Sequence, residues 1–178
     1  MNAMTPPPLA SGNYASTRVE ETIAISPNAF LPWYIHEPIE NFMKGTLVAP
    51  PITGTEPLPG PDWGEAGAAR KIFFKDGTTS LERIVETDFP RSYKYQPWAY
   101  TSPVRFLSGH AVSTMSALPD GAGTRIVWDY GFHAKNGLAY GPLALFVRYD
   151  WARNLKNALV ILKKHLETHG TAKRIHEA

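Results

Sequence analysis

The chain has 178 residues, no cysteine, 43% hydrophobic and 19% charged residues, and a formal charge of +2. This suits one domain with a sizeable core, and it is too little charge to argue for nucleic acid or an anionic membrane surface. Without cysteine there are no disulfides, no thiolate zinc sites and no cysteine nucleophile. The opening "MNAMTPPPLASGNYAS" has neither the basic nor the apolar region of a secretory signal. No stretch approaches the ~20 apolar residues that span a bilayer. The expectation is a cytoplasmic protein with no integral membrane segment.

Residues 1–15, rich in Pro, Ala, Ser and Asn, read as a flexible arm ahead of a domain over 16–170, with 171–178 as a tail. In "TRVEETIAI" Val19, Ile23 and Ile25 share one parity and Arg18, Glu20 and Thr22 the other, the pattern of a half-buried strand. Ser26 followed by Pro27 predicts a serine-capped helix, cut short at Pro32. "EPIENFM" supplies a second short helix, ended by Gly45. The Pro- and Gly-rich stretch 47–67 reads as irregular, with room for one edge strand.

From residue 68 the pattern is a meander of antiparallel strands. "ARKIFFK" and "TTSLERIVETD" flank the turn Asp76–Gly77, and "RSYKYQPWAY", "GHAVSTMSAL" and "TRIVWDYGFHA" follow. Pro142 to about His169 then carries an apolar stripe through Ala144, Val147, Trp151, Leu155, Ala158, Leu162 and Leu166, predicting a helix of about 40 Å. Gly170 is its expected end. The fold class is α+β: an antiparallel sheet of about seven strands, two short helices after the first, and one long C-terminal helix.

That order, with "SPNAFLPWY", "GEAGAARKIFFKDG" and "GAGTRIVWDYGF" in their places, resembles the START/Bet v 1-like superfamily, within it the polyketide cyclase/dehydrase and lipid-transport group. The resemblance covers about Thr17 to Leu166. It implies a helix-grip fold whose curved sheet wraps the long helix and leaves an elongated cavity for an apolar or aromatic small molecule. It supplies no catalytic motif, so no residue is assigned a catalytic role, and it implies no cofactor. Members include carriers and cyclases, and the fold does not choose between them.

Candidate ligand contacts come from strand parity. Ile126, Trp128, Tyr130 and Phe132 share one face of the last strand, and Tyr93 and Tyr95 one face of another. Buried phenols need partners, so this set fits either a core or a pocket with a few polar anchors. Arg70 shares parity with Ile72 and Phe74, and Arg83 with Leu81 and Val85; either arginine could meet a ligand carboxylate or enolate, or ion-pair with Glu82 or Glu86. Parity in 79–88 is ambiguous, because Ile84 faces in only if Glu82 and Glu86 do. His110 is the candidate anchor or acid–base group, and Trp151 the anchor on the helix. Asp129, His133 and Arg125 read as a solvated outer face. The six histidines form no convincing metal motif, and no metal site is expected.

Three functions stay open: a carrier for a hydrophobic or aromatic ligand, a cofactor-independent cyclase, aromatase or dehydratase, and an interaction module with a filled core. A homodimer is compatible with the sequence, which does not set the oligomeric state.

Overall fold

In the computed structural model, which describes residues 5–169, alternating apolar segments become the strands β1 (Tyr14–Ile23), β2 (Ile52–Pro57), β3 (Ala69–Phe74), β4 (Thr79–Asp88), β5 (Ser92–Trp98), β6 (Ser108–Asp120) and β7 (Gly123–Ala134). They form one antiparallel sheet in the order β1-β7-β6-β5-β4-β3-β2. Each of β2 to β7 pairs with its sequence neighbour, and β1 closes the far edge against β7. β2, from the Pro-rich stretch, is the opposite edge, where proline removes no needed ladder bond.

The helix α1 (Pro27–Tyr34) follows β1. Ser26 holds the cap position through its backbone carbonyl, which accepts from Ala29 and Phe30, but its side chain makes no capping bond. Contrary to expectation α1 continues through Pro32. A 3₁₀ turn, Ile39–Asn41, comes next and ends well before Gly45. Gly45 serves another purpose: at φ 76° a Cβ there would lie 2.5 Å from the Pro51 nitrogen, so only glycine lets these two backbone segments touch.

The long helix begins earlier than Pro142. Asn136 caps α2 (Gly137–Phe146) by accepting from the Ala139 N–H, and Pro142 is carried inside. One π turn, Val147–Trp151, joins α2 to α3 (Ala152–His169). The predicted stop at Gly170 lies outside the described residues. Leu143, Val147, Leu155, Ala158, Leu162 and Leu166 are buried, and α3 packs mainly across β1. No helix among the described residues is long and apolar enough to cross a membrane.

The inner face of the sheet carries Ala15 and Ile23 of β1, Ala111, Met115 and Ala117 of β6, and Ile126, Trp128, Tyr130 and Phe132 of β7, all buried. The outer face carries ion pairs: Arg18 grips Asp129 at 2.7 and 2.9 Å, and Arg125 lies 3.8 Å from Glu20. The reading of Asp129 and Arg125 as an outer face therefore holds.

Candidate functional site

The sheet and the helix do not meet everywhere. Between the inner face of β3–β7, the C-terminal end of α2, the π turn and residues 39–50 lies a cavity of about 260 Å³. Its deep wall is aromatic. Trp151 comes within 4.9 Å of Tyr130 and 5.2 Å of Phe132, ring centre to ring centre, and Phe146 within 5.7 Å of Phe132. The π turn inserts an extra residue into the helix at this point and so re-aims Trp151 onto β7; such turns recur at functional sites.

Polar groups are few and mostly satisfied within the protein. Trp128 donates from Nε1 to the Tyr95 hydroxyl (3.0 Å) and to Ser113 Oγ (2.9 Å). Burial pushes the phenols of Tyr95, Tyr100 and Tyr130 well above the usual tyrosine range, so all three stay neutral. Tyr100 donates to the Pro97 carbonyl. Trp151 keeps an indole N–H with no hydrogen-bond partner, shut away from solvent.

One charged pair reaches into this space. Arg70, on β3, donates from Nε and Nη2 to Glu82 Oε1 of β4, at 2.9 and 2.7 Å. Both side chains are about nine-tenths buried, with 11% and 8% exposed. Trp63, from the Pro-rich loop, lies over the guanidinium with Arg70 Cζ 3.7 Å from the ring centre, a cation–π contact that covers the pair. Glu82 lines the cavity and Arg70 stands behind it.

Asp150, in the π turn, holds part of the rim. Its carboxylate accepts from Thr46 Oγ1 (2.6 Å) and from the backbone N–H of Ala49 (3.0 Å) and Val48 (3.3 Å). Val48, Ala49 and Pro50 are thereby fixed as part of the cavity wall, while Leu47 at the loop tip is 99% exposed. Asp76, another lining residue, accepts from the Thr78 side chain and N–H, which lowers its carboxyl below the usual range. Among the described residues no cluster of His, Asp and Glu converges to hold a metal ion.

The sequence matches the family described as polyketide cyclase / dehydrase and lipid transport over residues 17–167. The chain belongs to this family. Comparison with curated proteins gives no match. Among solved structures the chain is similar to ginseng major latex-like protein 151 from Panax ginseng, at 15% identity and TM-score 0.63, covering 86% of this chain and 98% of that one. It is also similar to a protein of Thermus thermophilus, at 18% identity and TM-score 0.61, with the same coverage. At these identities the likeness is one of fold.

As in the fold expected for this family, the structure brings Phe74, Tyr95, Trp128, Tyr130, Phe132 and Trp151 to the cavity wall. It places the other anticipated residues elsewhere. Tyr93 faces inward but is stacked on Tyr95 at 5.4 Å, within the packed core rather than on the wall. Arg70 faces inward as its parity predicts, but it stands behind Glu82, bonded to it through Nε and Nη2, and does not line the cavity.

Arg83 faces the other way. The ladder shifts register between Ile84 and Glu86, so Ser80, Glu82 and Ile84 point in and Arg83 points out, where its Nε donates to Gln96. His110 also lies on the outer face. Small residues, Ala111, Ser113 and Ala117, occupy the inner parity of β6, and His110 stacks on His133 at 4.9 Å with Tyr14 hydroxyl 3.0 Å from its Nε2. The parity left open in 79–88 resolves with Glu82 and Ile84 inward, and the β-bulge after Ile84 turns Glu86 to the other face. The inward residue that parity reasoning passed over is Tyr100, where a left-handed residue, Ala99 at φ 53°, turns the chain just before it.

Proposed function

We propose that this family member binds a hydrophobic or aromatic small molecule, lipid- or polyketide-like, in the cavity between the sheet and the C-terminal helix. The observation that carries this reading is the space itself: about 260 Å³ left open among aromatic rings. Cores built only to pack leave few voids larger than a water molecule, and empty apolar space forfeits dispersion contacts. Concave, mostly apolar pockets with a few placed polar groups are the usual form of small-molecule sites. The same void weighs against an interaction module with a filled core.

A cofactor-independent cyclase or dehydratase needs an acid–base group at the substrate. His110 is on the wrong face for that task, the lining phenols of Tyr95, Tyr100 and Tyr130 are raised by burial, and Glu82 is the buried carboxylate on the wall. Binding without turnover is the simpler reading of a carboxylate already engaged by an arginine.

Native mass spectrometry of freshly purified protein, followed by extraction and identification of what is released, tests the proposal. An apolar adduct at one per chain is the expected result. A bare mass that persists after incubation with apolar and aromatic compounds would overturn it.

A further inference from the structure

The cavity has a chemical polarity of its own. The charged residues on its wall, Asp76 and Glu82, are both acidic, and no Lys, Arg or His stands among its lining residues. Arg70 bonds Glu82 Oε1 from behind the wall, Arg83 donates to Gln96, and His110 is bonded to Tyr14 on the outer face. Asp76 accepts from Thr78 on Oδ1 alone but is exposed to solvent, so the second oxygen of Glu82 is the open acceptor that lies on a buried side chain. Among the described residues Oε2 receives no hydrogen bond, and it is not sealed off as Trp151 Nε1 and Asn154 Oδ1 are. A nine-tenths-buried carboxylate therefore presents one open acceptor to a mostly apolar space.

Resting on the reading of the cavity as a ligand site, we propose that it selects an apolar or aromatic molecule whose inner end is a hydrogen-bond donor. That O–H or N–H bonds Glu82 Oε2, and the corresponding carboxylate is rejected. A donor to an ionised acceptor makes a hydrogen bond roughly twice as strong as a neutral one. A ligand carboxylate would instead lose its water and face Glu82 with no cation among the lining residues to receive it. Because Arg70 already balances Glu82, the donor need not carry a charge. The nearby phenols do not substitute for a cation: they are neutral, and Tyr100 donates its proton to Pro97.

The test is calorimetric titration at neutral pH with three probes of one shape: 2-naphthol, naphthalene and 2-naphthoate. Wild-type protein is expected to bind 2-naphthol about tenfold more tightly than naphthalene, as suits one hydrogen bond to a charged group, and 2-naphthoate most weakly. Glu82→Gln should shrink the preference. Should that variant fail to fold, Arg70→Met with Glu82→Leu replaces the whole pair by apolar groups of similar size and keeps the comparison. In that double variant 2-naphthol should fall to the level of naphthalene measured on the same variant. Tighter binding of 2-naphthoate than of 2-naphthol, or a preference for 2-naphthol that survives in the double variant, overturns the inference and leaves the cavity a ligand site. Failure of all three probes to bind wild-type protein overturns the inference together with the reading beneath it.

Discussion

On the outer face of the sheet, Tyr14, His110 and His133 pack edge to face and ring to ring, and Arg83 bonds Gln96, whose amide donates at 2.9 Å to the Pro7 carbonyl. On the inner face of the same sheet, Tyr95, Trp128, Tyr130 and Phe132 stand around open space, with a carboxylate oxygen unclaimed. Both faces bring aromatic rings and ionisable groups together. The outer set spends its polar atoms on one another and on the N-terminal segment, as structural groups do. The inner set leaves volume and an acceptor over. A cluster of chemically able side chains is not by itself a site; a remainder of space and hydrogen-bonding capacity is what distinguishes one. The outer face does have a groove of about 350 Å³ beside Leu9, Ala10 and Tyr14, but its wall mixes these with Ser16, Lys94, Thr114 and Asp129 and lacks the aromatic lining of the inner cavity.

The contrast can be pressed hardest at the buried ion pair. Glu82→Leu alone strands the Arg70 guanidinium and should cost about 3–5 kcal/mol in urea unfolding. Adding Arg70→Met should recover most of that loss, because the penalty comes from the unpaired charge and not from a missing net contribution of the pair. Equal loss in the single and double variants would contradict this.

Filling the cavity comes next. Ser80 is buried on the inner wall, and Ser80→Leu should weaken binding of a two-ring aromatic at least about tenfold while folding stability holds or rises, since added apolar bulk removes void and not packing. Unaltered binding in titrations would show that the ligand lies elsewhere.

On the outer face the expected effects are smaller and concern pH. Burial first, and the neighbouring His133 second, push His110 below the ordinary histidine range. A depressed folded-state value means the folded protein holds His110 neutral where the unfolded chain protonates it. The stabilisation is present above about pH 6.5 and is lost as pH falls below that through the lowered folded value. Melting temperature should therefore drop below about pH 6.5, and His110→Gln should flatten that drop without changing ligand affinity at neutral pH. The least effect is expected for Trp151→Phe. It deletes a buried N–H that has no partner but also part of a ring packed on Tyr130, Phe132 and Phe146, and because the two effects oppose, stability in urea unfolding should change by less than about 1 kcal/mol.

Much of this arrangement is legible in the sequence. Period-two alternation in β7 places Trp128, Tyr130 and Phe132 on one face, and that face is the inner one. The apolar stripe of the long helix also points where its spacing says. What escapes is whatever breaks a period. The β-bulge after Ile84 lets Glu82 and Ile84 face in while Glu86 faces out, which settles a parity the sequence leaves open, and the left-handed Ala99 brings Tyr100 to the wall. The π turn redirects Trp151, and Asp150 acts on residues 101 to 104 positions away, beyond any local pattern. For His110 the parity is right and the face is wrong. His110 shares its side with Val112 and Thr114, and only the packed structure shows that the small residues Ala111 and Ser113 are the ones turned inward.

The central claim is that a ligand occupies the inner cavity and not the outer groove. Mapping backbone amide chemical shifts while titrating 2-naphthol into isotope-labelled protein tests this most directly. The account predicts shifts confined to residues around the cavity, including Ser80, Glu82, Tyr95, Tyr130 and Trp151, with Lys94, Val112 and Thr114 on the outer face unmoved. Shifts centred on Leu9, Ala10, Val112 and Thr114, with the inner wall silent, would contradict it.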